Sequence, residues 1–533
     1  MGPNCIRQTD LPHATRLFTD LVYDFDRVQP FYHRAPFAAE SYRAAAGEVR
    51  LDAARRRALV DALREQNTGS GPAAENLDRL SDPSTLVVAT GQQVGLYTGP
   101  IFTIYKALSA IRLAEDLTAR GIRAVPVFWL ATEDHDLEEV NHAWIFDAAN
   151  QPLRLEAAVT AQPNQPVGQV PLADGVTGTL AAALDGLPHG AEVSRWAAEA
   201  YAGGATFGSG FQALLGRLLA PHGLLLMDPQ APGLRRLAAP LIRRAIEKAP
   251  ELTADLLARG QQLARGGYHV QVHVEEKSSL FFLVEGGRRT PLHRDTDTYE
   301  SEGSRHSRSE LLARLESHPE DFSPNVLLRP VIQDFLLPTV AYIGGPAELA
   351  YLAQAEVLYR QLLGRMPVAL PRAGFTLLDA RADKLLNRYG LTVLDALHGA
   401  AALEQRIAGT LIPAELQQTF DAGQGQIEAA SGAILRQLAS FDPTLEAAWA
   451  LSREKMRYQL GKIRDKTGRE SLRRAERARA DAAHLLNLIF PEKTLQERLY
   501  SVLPFLARHG LDLIGRLHGA IRFDCPDHQV LTV

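Results

Sequence analysis

The chain has 533 residues, of which 46% are hydrophobic and 22% charged, and its formal net charge is −5. No apolar stretch approaches the ~18 residues that a membrane-spanning helix needs, so we expect a cytoplasmic protein without a membrane partner. The negative charge gives no support for nucleic-acid binding. The two cysteines, Cys5 and Cys525, are too few for a disulfide framework or a Cys-rich zinc site.

The densest signal lies between residues 85 and 142. Leu86–Ala89 and Val125–Leu130 are short, continuous apolar runs, typical of strands that are buried on both faces of a sheet. Between them, apolar residues repeat at helical spacing, which predicts a βαβ unit. The second strand leads into the polar cluster Glu133-Asp134-His135-Asp136. Because ligands of open α/β sheets bind beyond the carboxyl ends of the strands, this cluster predicts a binding site.

Two insertions interrupt the predicted core. We expect residues 1–80 to form an N-terminal helical segment and residues 81–380 to form a Rossmann-like core with a parallel sheet. The regions near 150–210 and 260–315 depart from the core pattern. In the second of them, Tyr268–Val274 and Leu280–Val284 alternate like antiparallel strands. The core resumes at Thr339–Ile343, and Pro346 suits the first position of the helix that follows.

A helical arm is predicted over residues 381–490. Apolar residues keep the 4-3 spacing of a coiled-coil seam on both sides of Asp442-Pro443, where the proline breaks the helix. Two such helices form an antiparallel hairpin, and we expect it to join two copies of the chain as a homodimer. Residues 453–479 are rich in Lys and Arg, which favours a solvated helix face over a nucleic-acid surface. Residues 491–533 are predicted to return to the core.

Gly91, Gly95 and Gly99 recur every four residues after the first strand. A strand, a glycine turn and a helix together direct backbone N–H groups at a ligand and offer an anion site. Gln92 and Gln93 would then bind the same ligand through their amides. The spacing matches neither the dinucleotide fingerprint nor a P-loop. The alternative is a turn that needs glycine only for a positive φ.

The cluster from Glu133 to Asp136 admits three interpretations. Its carboxylates are suited to a substrate ammonium group, and His135 is suited to acid–base work at neutral pH. A metal site formed by Asp134, His135, Asp136 and His142 is the second. The third is a solvated turn in which Asp136 caps the next helix.

Further along the chain, Arg329, Gln333 and Asp334 follow an apolar run, and Arg is the natural partner of a carboxylate or phosphate. A structural ion pair is the alternative. Glu348 falls in the first turn of the helix after Gly344-Gly345, where capping alone would explain it.

Several long motifs resemble one known family, the cysteine-adding enzymes of bacillithiol biosynthesis. The resemblance extends over essentially the whole chain. Its motifs are Thr90-Gly91-Gln92-Gln93, Thr98-Gly99-Pro100, Tyr105-Lys106-Ala107, Val127-Phe128-Trp129, Glu133-Asp134-His135-Asp136, Asn141-His142, Phe322 to Pro330, Ala341 to Glu348, and Leu370-Pro371-Arg372.

The resemblance implies a Rossmann-like core with connecting-peptide insertions and a dimerising coiled coil. It also implies a reaction, in which the cysteine carboxylate is joined as an amide to the amino group of glucosaminyl malate. A free carboxylate is a poor acyl donor, so we expect activation by ATP, with Mg²⁺ only as the ATP counter-ion and no resident metal. Neither a Walker nor an adenylation motif is present to identify the ATP site.

The local sequence pattern and the family resemblance together predict a role for each candidate residue. Asp134, His135 and Asp136 are the catalytic candidates. The substrate-binding candidates are Gln92, Gln93, Thr98, Glu133, Asn141, Arg329, Gln333, Asp334 and Glu348. The cofactor-binding candidates are Gly91, Gly95, Gly344, Gly345, Lys384, Asn387 and Arg388.

Two other classes of function remain open on the sequence. A nucleotidyltransferase of another pathway would share a Rossmann core with insertions. A non-catalytic scaffold would use the basic coiled-coil arm as its working surface.

Overall fold

The computed structural model describes residues 5–173, 175–301 and 303–533. Within these ranges no helix combines the length and the apolar character needed to cross a bilayer. The strands are β1 (Cys5–Ile6), β2 (Leu86–Gln93), β3 (Ala124–Ala131), β4 (His142–Phe146), β5 (Pro152–Glu156), β6 (Leu225–Met227), β7 (Ser278–Glu285), β8 (Arg288–Asp295), β9 (Thr298–Ser301), β10 (Ser304–Ser307), β11 (Phe322–Pro324), β12 (Thr339–Gly344), β13 (Val368–Pro371), β14 (Phe375–Leu378) and β15 (His528–Thr532).

The helices of the first half of the chain are α1 (Arg16–Tyr23), α2 (Phe25–Val28), α3 (Ala39–Glu48), α4 (Ala53–Gln66), α5 (Pro72–Leu80), α6 (Phe102–Ala119), α7 (Leu137–Val140), α8 (Gly178–Leu184), α9 (Gly190–Ala200), α10 (Phe207–Leu219), α11 (Pro232–Glu247) and α12 (Ala249–Arg265). Those of the second half are α13 (Arg308–Ser317), α14 (Arg329–Leu336), α15 (Pro346–Leu362), α16 (Ala380–Tyr389), α17 (Val393–Leu397), α18 (Ala400–Thr410), α19 (Ala414–Phe441), α20 (Leu445–Arg474), α21 (Glu476–Ile489), α22 (Gln496–Leu499), α23 (Leu503–His509) and α24 (Leu513–Ala520).

The central sheet is parallel and has the strand order β13-β12-β2-β3-β6. The chain builds β2, β3 and β6 outward in one direction, then returns to add β12 and β13 on the other side of β2. This is the strand order of a Rossmann fold, and the direction reverses between β2 and β12. The predicted Rossmann-like parallel core is therefore confirmed.

The first βαβ unit forms as its apolar pattern predicts. β2 and β3 pair in register from Leu86↔Ala124 to Gln93↔Ala131, and α6 connects them. Residues such as Val87, Val127 and Phe128 are fully buried, which fits strands that are covered on both faces. α6 is largely apolar, yet it also buries Lys106, whose charge must find a partner inside the protein.

The insertions form small antiparallel sheets and helices. β4 pairs with β5, and a second sheet has the order β10-β9-β8-β7-β11. The prediction of a strand at Tyr268–Val274 is wrong, because that segment has no regular structure. The side chain of Gln354 donates to the carbonyl of Val272 and accepts from its N–H, so a side chain replaces the neighbouring strand.

The described chain divides into two compact units. The first comprises Met1–Phe375 and Glu497–Gln529, and the second comprises Thr376–Gln496 and Val530–Val533. In the second unit α19 and α20 run antiparallel. Trp449 donates to the carbonyl of Ser431, and Arg457 pairs with Glu428. The predicted helical hairpin is confirmed, and its turn lies at Asp442-Pro443.

Inside the first unit, the first and last strands pair with each other. Cys5 of β1 lies opposite Gln529 of β15, and Ile6 lies opposite His528. The sulfur atoms of Cys5 and Cys525 are 3.2 Å apart, which is a thiol hydrogen bond and not a disulfide. Burial, with the neighbouring Cys525 thiol, raises the pKa of Cys5 to about 11, so Cys5 is a thiol at neutral pH.

Candidate active site

A cavity of about 490 Å³ lies at the point where the strand order reverses, entirely within the first unit. Its floor is formed by the carboxyl ends of β2 and β3 and by the loop after β12. Side chains from α6, the insertions and the C-terminal segment complete its wall. Ligands of doubly wound sheets bind at this position, and the volume suits a small organic molecule. The charged residues that line it are Lys106, Glu133, Asp134, Glu139, Arg289, Arg329, Glu348, Arg372 and Arg498.

Lys106 is the most deeply buried charge in this wall, with 1% of its surface exposed. Its ammonium donates to the carbonyl of Gly91 and to Oε1 of Gln92, both at 2.7 Å, and forms an ion pair with Glu348. Burial lowers the pKa of Lys106 to about 8, and the pairing with Glu348 limits the fall. Lys106 thus joins α6, β2 and α15 at the cavity floor.

Glu348 has a set of partners that holds it ionised. Burial alone would raise its pKa, but Lys106, the hydroxyl of Tyr342 and the N–H of Gly345 hold the pKa below its usual value. Tyr342 donates from 2.6 Å and Gly345 from 2.9 Å. The predicted helix-capping role of Glu348 is therefore present in the structure, together with a buried ion pair.

Two further ion pairs in the wall are complete within the protein. Arg372 forms a bidentate pair with Glu497, at 2.9 and 2.6 Å, and both side chains are buried. Glu133 accepts from Ser323 at 2.6 Å and pairs with Arg235 at 3.0 Å. Their charges are neutralised by protein partners, so these groups shape the wall more than they attract a ligand.

Five other charges of the wall form no ion pair with a described Lys, Arg, Asp or Glu. One of them, Arg289, is held by the protein, because it donates to the hydroxyl of Ser323, the carbonyl of Pro324 and Nδ1 of His135. Arg329 donates to Tyr351 and Gln333, which are neutral. Burial would lower its pKa, but the surrounding tyrosines and Glu348 raise it, so Arg329 stays a cation. In the described ranges, Arg498 forms neither a hydrogen bond nor an ion pair, and its guanidinium lies 5.9 Å from the centre of the Phe102 ring.

The two uncompensated anions are Asp134 and Glu139. Both accept from the same nitrogen, Nε2 of Gln93, at 2.7 and 2.6 Å. No Lys or Arg of the described chain lies within ion-pair distance of either carboxylate. The neighbouring imidazole of His135 is 3.8 Å from Asp134, but burial and the nearby Arg289 lower the pKa of His135 and favour its neutral form.

The structure brings together eight of the nineteen predicted site residues. Those that line the cavity are Gly91, Gln92, Gln93, Glu133, Asp134, Arg329, Gly345 and Glu348. Those that lie outside its lining are Gly95, Thr98, His135, Asp136, Asn141, Gln333, Asp334 and Gly344. Lys384, Asn387 and Arg388 belong to α16 of the second unit, where Arg388 pairs with Asp481.

Most of the outlying residues have structural partners. Asp136 caps α7 by accepting from the N–H of Glu139, as the helix-capping interpretation requires. Nδ1 of His135 faces the guanidinium of Arg289 at 3.2 Å. Because an arginine can only donate, this nitrogen must accept, which leaves it unavailable as a proton acceptor for substrate.

Gln333 and Asp334 are buried in α14. Asp334 accepts from the hydroxyl of Tyr359, and burial raises the pKa of this carboxyl. Asn141 donates to Glu156 at 3.4 Å on the β4–β5 hairpin. Thr98 is buried with a φ of 70°, in the turn before α6.

Gly91 is needed for a steric reason. A Cβ at this position would lie 2.8 Å from the carbonyl oxygen of Trp129 on the neighbouring strand. The N–H of Gly345, at the start of α15, is already engaged by Glu348. The anion-binding contribution expected from the two glycine turns is thus small, and the cations of the wall are better placed for it.

Five charged residues of the wall were not among the predicted candidates: Lys106, Glu139, Arg289, Arg372 and Arg498. Lys106 is the one charged residue in the first ten residues of α6, which was a usable signal. Arg372 stands in a motif of the family resemblance. Arg289 and Arg498 come from the antiparallel insertion and the C-terminal segment, where no local pattern marks them. Over the three described ranges, no three His, Cys, Asp or Glu side chains converge as a metal site would require.

Comparison with known proteins agrees with this architecture. Residues 3–373 match the N-terminal Rossmann-like domain of the bacillithiol biosynthesis protein BshC, and residues 375–533 match its C-terminal coiled-coil domain. A protein of Solibacter usitatus named "Putative cysteine ligase BshC" is 50% identical over the full length of both chains. Proteins of the same name from Koribacter versatilis and Salinibacter ruber are 38% identical, over all of both chains, and 35% identical, over 97% of this chain and 96% of the relative. The chain therefore belongs to the BshC family of bacillithiol biosynthesis proteins.

Proposed function

We propose that this protein is a cysteine ligase that forms an amide between the carboxyl group of cysteine and the amino group of glucosaminyl malate. The names of its relatives support the ligase class and cysteine as a substrate. Glucosaminyl malate is the acceptor that the family resemblance implies, and the charges of the cavity support it.

The observation that carries the proposal is the set of four charges that, apart from Arg289, line the cavity without an ion pair. Arg329 and Arg498 supply two cations, whereas Asp134 and Glu139 supply two carboxylates that share one amide. Charged groups in a partly buried cavity are poorly hydrated. A ligand whose charges are opposite to theirs replaces the missing water contacts and is therefore favoured. Glucosaminyl malate carries two carboxylates and one ammonium group, which matches this set.

In this arrangement the two arginines bind the malate carboxylates, since guanidinium groups recognise planar carboxylates in a bidentate manner. Asp134 and Glu139 bind the ammonium group of the sugar. An ammonium group has no lone pair, so a proton must leave before the nitrogen attacks. Asp134 lines the cavity and receives this proton, while Glu139 stabilises the remaining charge.

We further propose that ATP is a substrate that activates the cysteine carboxylate, because a carboxylate and an amine do not condense unaided in water. Whether the leaving group is phosphate or AMP follows from the products.

We also propose that the protein acts in the cytoplasm as a homodimer formed through the arm. The hairpin leaves large apolar side chains exposed, which is unusual for a face that stays in water. They are Leu416, Ile434, Phe441, Leu445, Leu451, Met456, Tyr458 and Ile463.

The test is an incubation of the purified protein with glucosaminyl malate, cysteine and Mg-ATP, followed by mass spectrometry of the thiol product and the nucleotides. Product with ADP indicates an acyl phosphate route, and product with AMP indicates an adenylate. If the wild-type protein forms no product, or forms it equally without the malate group, the proposal is wrong.

Two variants tie the activity to the cavity. Arg329→Met should raise the KM for glucosaminyl malate about 10- to 150-fold, because a hydrogen bond to a charged group contributes roughly 1.5–3 kcal/mol. Asp134→Asn should lower kcat, because it removes the proton acceptor. Arg57→Met and Asp61→Asn, on the exposed face of α4, are the matched controls and should behave as the wild type.

A further inference from the structure

Gln92 and Gln93 are consecutive at the end of β2, and both line the cavity. Side chains alternate along a strand, so the two amides lie on opposite sides of the β2 backbone. A glutamine amide has a donor end and an acceptor end, and its hydrogen-bond partners decide which end remains for a ligand.

For Gln92 the partner is Lys106. The ammonium lies 2.7 Å from the side-chain oxygen of Gln92, and an ammonium can only donate. The atom that faces Lys106 must therefore be the carbonyl oxygen. The NH₂ group of Gln92 donates to no protein atom in the described parts of the chain, so a donor remains for a ligand.

For Gln93 the arrangement is reversed. Its side-chain nitrogen lies 2.7 Å from Asp134 and 2.6 Å from Glu139, and ionised carboxylates can only accept. Both N–H bonds of this NH₂ group are used. Since no described residue donates to its side-chain oxygen, Gln93 offers an acceptor to the cavity.

We propose that these two oppositely fixed amides position the two halves of the new amide bond. The NH₂ group of Gln92 donates to the acyl oxygen of cysteine, and the carbonyl of Gln93 accepts an N–H of the attacking amine. Lys106 is a positioning residue that acts through Gln92. This inference rests on the proposed function, and it assigns the acyl group to the Lys106 side of β2 and the amine to the Asp134 side.

The chemical step balances with these contacts. Asp134 first takes one proton from the ammonium group. The lone pair of the resulting amine then attacks the activated carbonyl carbon, a C–N bond forms, and the second proton passes from nitrogen to an oxygen of the leaving group. The bond from that carbon to the oxygen of the phosphate-containing leaving group, which ATP supplies, then breaks. During the attack the acyl oxygen gains negative charge and the nitrogen gains positive charge. A donor at the first and an acceptor at the second therefore favour the transition state over the separate substrates.

The same substitution at the two positions distinguishes this role from a structural one. Gln92→Glu keeps the oxygen that faces Lys106 but replaces the donor with a second oxygen. We expect kcat to fall about 100- to 1,000-fold at every pH, the loss that follows removal of one donor to a developing oxyanion. The urea midpoint should not fall, because the contact with Lys106 is kept.

Gln93→Glu keeps the acceptor and adds a carboxylate beside Asp134 and Glu139. Like charges at this distance raise the pKa of the group. We expect activity to be lost at low pH and regained as the pH rises, so that the acidic limb of the pH–rate profile moves upward. Gln261→Glu, exposed on α12, is the matched control and should leave the profile unchanged.

A binding measurement decides the assignment independently of turnover. Cysteine should bind Gln92→Glu at least tenfold more weakly than the wild type, whereas cysteamine, which lacks the carboxyl group, should bind both equally. Equal losses for cysteine and cysteamine, or full activity of Gln92→Glu, would overturn the inference. Absence of product from the wild type would refute the proposed function instead, and the two binding constants would still test the position of the acyl group.

Discussion

Replacing Lys106 by methionine should strongly destabilise the first unit. The substitution keeps the apolar stem and removes only the ammonium group. Glu348, the carbonyl of Gly91 and the amide of Gln92 each lose a partner at once. Removing one member of a buried ion pair costs about 3–5 kcal/mol, because the remaining charge stays in a poorly hydrated site.

The free energy of unfolding is best compared through urea transitions followed by tryptophan fluorescence. Lys106→Met alone should lose about 3–5 kcal/mol. Adding Glu348→Gln removes the uncompensated charge, and the double variant should regain roughly half of that loss, a coupling of the size expected for residues in direct contact.

The pH dependence gives a second signature. In the wild type, Lys106 and the other donors hold the pKa of Glu348 below its usual value. Without Lys106, burial raises that pKa above the value in the unfolded chain. A group with a raised folded-state pKa stabilises the protein below its unfolded pKa and loses this contribution as the pH rises. The loss of unfolding free energy caused by Lys106→Met should therefore be smaller at pH 4.5 than at pH 7, because more of Glu348 is protonated at the lower pH. If the double variant is no more stable than Lys106→Met at pH 7, an unpaired Glu348 carboxylate is not what destabilises the single variant.

Three further outcomes follow from the structure. Gly91→Ala places a Cβ 2.8 Å from a carbonyl oxygen and should lower the free energy of unfolding by about 1–3 kcal/mol. The control Gly47→Ala, in open space on α3, should be neutral or stabilising by up to ~1 kcal/mol. Urea midpoints compare the two variants. The folded-state pKa of His135 is lowered, so the unfolded state binds more protons below pH ~6.5. The free energy of unfolding should therefore decrease there as the pH is lowered. His135→Asn should flatten that part of the stability–pH curve, and an unchanged slope would refute the assignment. Leu451→Glu with Ile463→Glu should shift the protein from dimer to monomer in sedimentation measurements, and a dimer that persists would place the interface elsewhere.

The sheet was predictable because its signal is local. Continuous apolar runs at Leu86–Ala89 and Val125–Leu130 need no knowledge of distant residues, and the helix between them has its own period. Tyr268–Val274 shows the limit of the same reasoning. Its alternation is as regular as that of a true strand, but Gln354 satisfies the backbone of Val272 from a helix instead.

The charges of the site could be predicted only as residue types. Whether a carboxylate is available to a ligand depends on partners that are remote in sequence. Ser323, which donates to Glu133, is 190 residues away from it, and Glu497 is 125 residues from Arg372. Glu133 and Asp134 are adjacent and chemically alike, yet the fold neutralises the first and leaves the second unpaired.

The discontinuity of the first unit has a consequence for how the chain is made. The segment that supplies Glu497, Arg498 and the partner strand of β1 is synthesised only after all but the last four residues of the second unit. Until then the nascent first unit holds Arg372 without its carboxylate, and the cavity wall is incomplete. A fragment that ends near residue 375, although it contains the whole parallel sheet, is thus an unfinished unit rather than a separable domain. The ribosome must synthesise the coiled-coil arm before the wall of the active site can be completed.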